Sequence, residues 1–174
     1  MSSVYQSFTT KTNGEALLKS DEFYLDICLK LASRAAHQGE VPVGALIVDN
    51  QSGAILSKAQ NLRERLQSPL GHAEILCIHK TSRILGTWRL NGHSLYTNLE
   101  PCVMCSGVIV QSRLDRVVFS APDPKGGGQS LFGLLAHPGL NHQVRWEKGP
   151  YESQSRELIQ GSVSYTHLRA HETL

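Results

Sequence analysis

Two stretches of this chain carry side chains whose types and spacing suit chemistry: Gly71-His72-Ala73-Glu74 and Leu99-Glu100-Pro101-Cys102-Val103-Met104-Cys105. Cys102 and Cys105 are three residues apart, so at the opening of a helix their sulfurs share a face and aim at one ion. His72 can supply a third ligand. Glu74, two positions on, faces the same cavity without entering the metal's shell. Three protein ligands leave one tetrahedral position for water, the pattern of a catalytic zinc, and the metal lowers that water's pKa from 15.7 to about 7. The positive end of a helix dipole helps the thiolates stay ionised. Pro101 suits that position because its missing N–H is not needed in a first turn. Glu74 can take the water's proton and pass it to a ring nitrogen and then to a leaving amine. The implied chemistry is hydrolytic deamination with one Zn2+ per chain.

Plainer readings compete with this one. Cys102, Cys105 and His72 could join another cysteine in a closed structural site, and Cys77 is the nearest candidate. At helical spacing Cys77 lies about 140° around from His72, so the two do not face one ion. Glu74 could be a surface carboxylate in the first turn of its helix, where the dipole favours it, but that leaves the cysteines unexplained.

Positioning these groups requires regular elements. Tyr24, Ile27, Cys28, Leu31 and Ala35 recur at helical spacing and Gly39 stops the pattern, which predicts a helix from about Asp21 to Gln38 with Cys28 in the core. Gly44 to Asp49 and Ile55 to Gln60 read as strands of a hairpin joined by Asn50-Gln51-Ser52-Gly53. A helix follows from Ala73 to about Thr81, then a strand from His93 to Asn98, a helix from Cys102 to Gln111 and a strand from Arg116 to Ser120. Ser130 to Leu135, Gln143 to Glu147 and Glu152 to Gln160 add a short helix, a fifth strand and a closing helix. This order predicts a mixed sheet with helices on both faces and a site at the carboxyl ends of its strands.

The 174 residues, 40% hydrophobic, suit one domain with a core of its own. Four cysteines, two in a metal motif and two isolated, do not form a secreted disulfide framework, and a reducing cytoplasm fits better. A net charge of +2 is too small to announce a nucleic-acid partner by itself. Met1 to Ser20 lack an apolar run, so they read as a flexible N-terminal extension, neither a secretory signal nor a membrane span. Residues 21–160 form the domain. Residues 161–174 change composition abruptly and read as an atypical tail, disordered or foreign to the domain. His167 and His171 there are four apart and suit a metal only if helical, and a solvated tail is the plainer reading.

H-x-E followed by P-C-x-x-C is an established signature of zinc nucleobase deaminases. The match extends through Glu40-Val41-Pro42-Val43-Gly44-Ala45, Asn61, Arg116-Val117-Val118-Phe119 and His137-Pro138-Gly139-Leu140-Asn141-His142. From Asp21 to about Gln160 the chain resembles the bacterial tRNA adenosine deaminases of the TadA type, in the cytidine/deoxycytidylate deaminase superfamily. The resemblance implies a three-layer α/β/α fold around a central five-stranded mixed sheet, with zinc on His72, Cys102 and Cys105 and Glu74 catalytic. It further implies substrate contacts at Asn61, Asp123, His137 and Asn141, each of which has loop or helix capping as its plainer role. The implied substrate is the wobble adenosine of a tRNA anticodon stem-loop, the implied assembly a homodimer, with no membrane partner. The family's closing helix carries aromatic and basic residues against the RNA, whereas residues 161–174 here offer one cation, Arg169. The rival readings are a small-molecule deaminase of guanine, cytosine or a nucleotide, and an inactive RNA-binding zinc protein, against which the intact Glu74 argues.

Overall fold

The computed structural model describes residues 19–171, with side chains through 161. Helix α1, Asp21–His37, opens on Ser20, whose hydroxyl accepts from the Phe23 amide, and carries Asp21 and Glu22 in its first turn where the dipole favours them. It is followed by β1 (Gly44–Asp49), β2 (Ile55–Gln60), a single turn α2 (Arg63–Leu66), α3 (Ala73–Leu85) and β3 (His93–Leu99). Next come α4 (Val103–Gln111), β4 (Arg116–Ala121), α5 (Gly128–Phe132), a 3-10 turn at Leu134–Ala136, β5 (Arg145–Lys148) and α6 (Glu152–His171). Among the described residues no helix is long and apolar enough to cross a membrane.

The sheet order is β2-β1-β3-β4-β5, antiparallel from β2 through β3 and parallel from β3 through β5. Side chains alternate across the pleat, so the sheet is apolar on both faces. Ala45, Ile47, Leu95, Val117 and Phe119 pack with Ala73, Cys77 and Ile78 of α3 and Ile109 of α4. Leu46, Val48, Tyr96 and Val118 pack with Tyr24, Leu25 and Cys28 of α1 on the other face, which α6 shares. The three-layer α/β/α arrangement read from the sequence is the observed one.

Several boundaries shift by one to three residues from the sequence reading, and three departures are larger. α3 runs four residues past Thr81 because Gly86, at φ +66°, supplies the left-handed residue that ends it. α2 is short and polar, with no apolar period to betray it. α6 continues through Gln160 to His171, so the change of composition at 161 does not interrupt the backbone helix. The expected N-terminal extension falls almost wholly outside the described residues, as do the side chains of His167, Arg169 and His171.

α1 lies unusually close to the sheet at Gly44. A Cβ there would sit 2.3 Å from the Cys28 carbonyl oxygen and 2.5 Å from Leu31 Cβ, so this strand start admits only glycine.

Candidate active site

The register brings one end of every inner strand together. Gly44 opens β1 opposite Gln60, which ends β2, while Ala45 pairs with Thr97 and Leu99 with Ala121. The segments just beyond these positions, 41–43, 61–63, 99–102 and 123, converge with the start of α3 on a cavity of about 160 Å3. Asn61, His72, Glu74, Glu100, Cys102 and Asp123 line it, with Val41, Val43, Arg63 and Leu99.

His72 and Cys102 are the N-cap residues of α3 and α4, and neither side chain caps its own helix. Two helix N-termini therefore point into the site, and both favour negative charge there. The helix opens one residue later than the sequence suggested, at Val103. Cys102 is consequently in extended backbone and half-buried, while Cys105 is fully buried in the first turn.

His72 Nδ1 lies 3.6 Å from Cys102 Sγ and 3.5 Å from Cys105 Sγ, and the three donor atoms lie within 4.8 Å of one another. In a tetrahedral zinc shell, with Zn–S about 2.3 Å and Zn–N about 2.0 Å, nitrogen–sulfur edges measure about 3.5 Å. The residues fit that ion. Electrostatics agree. Hydrogen bonding from Cys105, and then from His72 against the cost of burial, pulls the Cys102 thiol down to about 4. Cys105 moves far upward in turn, because its proton is shared with Cys102 and it is buried beside Glu74. Bonding to Cys102 also raises His72. Donor atoms that compete for protons at this distance are ones a divalent cation would hold deprotonated. Cys77 takes no part: its thiol donates to the Ala45 carbonyl at 3.2 Å in the core, which removes the closed structural site weighed above.

Glu74 is 4% exposed, and burial pushes its carboxyl up to about 7. A carboxyl near neutrality both takes and returns a proton. Beside it, the Asn61 amide is buried and its Oδ1 has no partner among the described residues. An orphan acceptor in a cavity wall is costly unless a ligand donates to it.

Asp123 reaches the cavity but also serves as a turn cap, its Oδ1 accepting from the Lys125 and Gly126 amides at 3.0 Å each. His137 and Asn141 lie outside the cavity lining. Both are exposed; His137 Nδ1 accepts from the Gly139 amide, and Asn141 Oδ1 accepts from Arg113 Nη1 at 2.9 Å.

A family model described as the cytidine and deoxycytidylate deaminase zinc-binding region matches residues 18–121. The chain belongs to this zinc deaminase family. The tRNA-specific adenosine deaminase of Aquifex aeolicus (strain VF5) is 49% identical to it over 138 residues, covering 79% of this chain and 90% of that protein. That of Bacillus subtilis (strain 168) is 46% identical over 153 residues, covering 87% and 92%. A solved structure from studies of A-to-I editing by tRNA:A34 deaminases at the wobble position of transfer RNA is 33% identical. It superposes with a TM-score of 0.72 over 79% of this chain and 99% of that one. Guanine deaminase from Nitrosomonas europaea shares the fold, with a TM-score of 0.71 at 19% identity over 84% and 86% of the two chains. Within the family the deaminase groups with the tRNA-specific adenosine enzymes.

Two supports of the deaminase site left no chemical signature in the sequence. Glu40, 3% exposed, accepts from the Glu64 and Arg65 amides at 3.0 and 2.8 Å and so holds α2, with Arg63, at the cavity. Glu100 does the same for the segment after β4. Their partners are backbone amides and one hydroxyl distant in sequence, and the quoted runs Glu40 to Ala45 and Leu99 to Cys105 contain both acids without showing what they bind.

Proposed function

We propose that this chain catalyses hydrolytic deamination of adenosine to inosine at the wobble position of a tRNA anticodon loop. The observation that carries this reading is a zinc-sized triangle, His72, Cys102 and Cys105, whose His72 and Cys102 line one cavity with the buried Glu74 and with Asn61, whose Oδ1 has no partner among the described residues. One zinc per chain, when bound, supplies a water acidified to about pKa 7. Glu74 would accept one proton from the attacking water and deliver it to N1 of the adenine ring as oxygen bonds to C6, then take the proton left on that oxygen and pass it to the amine as the C6–N6 bond breaks. Water and adenosine give inosine and ammonia, and the carboxylate returns to its starting state. Asn61 Oδ1 accepts from the substrate and orients the base.

The cavity is smaller than the about 300–1,000 Å3 of pockets for drug-sized ligands. It admits one flipped base, so the rest of an RNA loop must lie on the surrounding surface. Arg63 at the wall suits a neighbouring phosphate, and Asp123 a ribose hydroxyl. His137 and Asn141, outside the lining, are assigned to nucleotides beyond the target base. A homodimer in the cytoplasm completes the proposal. The relatives at 46–49% identity support adenosine in tRNA over guanine, whose deaminase is matched at 19%. The deciding experiment measures inosine in an anticodon stem-loop beside ammonia released from free guanine and cytidine. Turnover of guanine or cytidine without inosine formation would replace this reading by a small-molecule one.

A further inference from the structure

Glu100 is 2% exposed, and among the described residues its side chain accepts only from neutral donors on one later segment. Oε2 accepts from the Asp123 amide at 2.8 Å and from the Ser130 hydroxyl at 2.6 Å, while Oε1 accepts from the Ser130 amide at 2.6 Å. The backbone closes the same seam. The Glu100 amide donates to Ala121, Gly128 donates to Pro101, and Cys102 bridges Gly127. The fit at Gly127 is tight: a Cβ there would stand 2.3 Å from Glu100 Cδ and Oε1. Burying a carboxylate costs far more than burying an apolar or amide side chain of the same shape. Stability of a turn alone does not call for one. What a carboxylate offers is acceptor capacity without a donor, which suits a partner set made only of N–H and O–H groups.

We propose that Glu100 is a positioning residue, a latch that fixes the segment from Asp123 to Ser130 onto the cysteine loop and so sets where Asp123 meets the substrate. The latch joins the two sides of one wall, because Glu100, Cys102 and Asp123 all line the cavity. It acts on binding rather than on proton transfer. This inference rests on the cavity being the nucleotide site.

The test is Glu100→Gln in the zinc-loaded full chain. An amide N–H2 set among three donors leaves at least one of them unpaired. Amide hydrogen exchange at Asp123 and Ser130 should rise by about tenfold or more, with zinc retained at one per chain. On an anticodon stem-loop, KM should rise by about tenfold with kcat within about threefold of the native value. Unchanged exchange, unchanged KM, loss of zinc, or a collapse of kcat at constant KM each overturns the latch. Should Glu100→Gln fail to fold, Ser130→Ala removes one donor and leaves the backbone intact. It should raise exchange and KM in the same direction, and Ser130→Thr, which keeps the hydroxyl, should restore both; native exchange and KM in Ser130→Ala overturn the proposal. If the native chain makes no inosine, the nucleotide reading fails by itself, and exchange in the variants still judges the latch.

Discussion

Replacing Glu74 by Gln separates proton transfer from metal binding, because the carboxylate lies beside the ligand triangle and is not one of its donors. Zinc should stay near one per chain while kcat falls by at least about a hundredfold, the usual scale of a positioned acid–base group. Cys102→Ala should lose both zinc and activity, since two remaining donors make an ill-formed shell. Metal analysis beside turnover distinguishes the two outcomes, and a metal-free active enzyme would end the zinc mechanism. Asp123 permits a cleaner substitution than most loop acids. Its turn uses Oδ1 only as an acceptor from two amides, and Asn keeps a carbonyl oxygen able to do the same. Asp123→Asn should therefore leave the loop folded, remove one charge facing the RNA, and narrow the gap between RNA and single-stranded DNA of the same loop sequence. The ratio of kcat/KM on the paired substrates is the readout, and no change in it would leave Asp123 a turn residue alone.

At the level of elements, α1 is tied to the sheet in two places that respond to different perturbations. Arg116 on β4 donates to both oxygens of Asp21 at 2.9 and 2.7 Å and to both oxygens of Glu147 at 3.0 and 2.6 Å, and Tyr96 Oη adds a bond to Asp21 at 2.7 Å. Burial raises the Asp21 carboxyl, but Arg116 and Tyr96 outweigh it and the net direction is below the ordinary 3.8; Arg116 likewise holds Glu147 below 4.5. Both acids bind fewer protons folded than unfolded at acid pH. Their stabilisation is complete above these ordinary values and is lost as pH falls through the lowered ones. Arg116→Met should therefore flatten the acid limb of unfolding free energy against pH relative to the native chain, with little change in its shape near neutrality. Urea titrations at a series of pH values read this, and parallel limbs would refute it. At the other anchor, Gly44→Ala forces a methyl into the Cys28 carbonyl and should cost about 1–3 kcal/mol or more of stability. A loss below about 0.5 kcal/mol would show that α1 can shift outward at no expense.

The molecule as a whole offers a cavity for one base and a surface for everything else. Binding energy from the surrounding nucleotides is then needed to hold the flipped base in place, so kcat/KM should be far higher for an anticodon stem-loop than for free adenosine. Comparable values would sink the extended-substrate reading. Net charge is only +2 and the cations are dispersed, so affinity should fall with added salt, though less steeply than for a densely basic protein. A Kd independent of salt would exclude phosphate anchoring.

The grouping of His72, Cys102 and Cys105, the carboxylate of Glu74 beside them and the α/β/α order were all legible in the chain itself. A Cys-x-x-Cys at a helix start and a Glu two residues after a His are local patterns, and hydrophobic periods of 3.6 and 2 mark helices and strands without reference to partners. Short polar α2 and the far end of α3 escaped, because a tertiary amide clamp by Glu40 and a single left-handed Gly86 set them. The site's composition beyond its motifs belongs to the tertiary structure alone. Strand register decides that Asn61 and Asp123 share one cavity with Glu74, while His137 and Asn141, equally prominent in the sequence, stand outside it. Glu40 and Glu100 accept from amides 24 and 25 or 23 and 30 residues away. Since every residue but proline offers the same N–H, the sequence of a partner segment says nothing about which acid will bind it, and only the folded chain makes that choice.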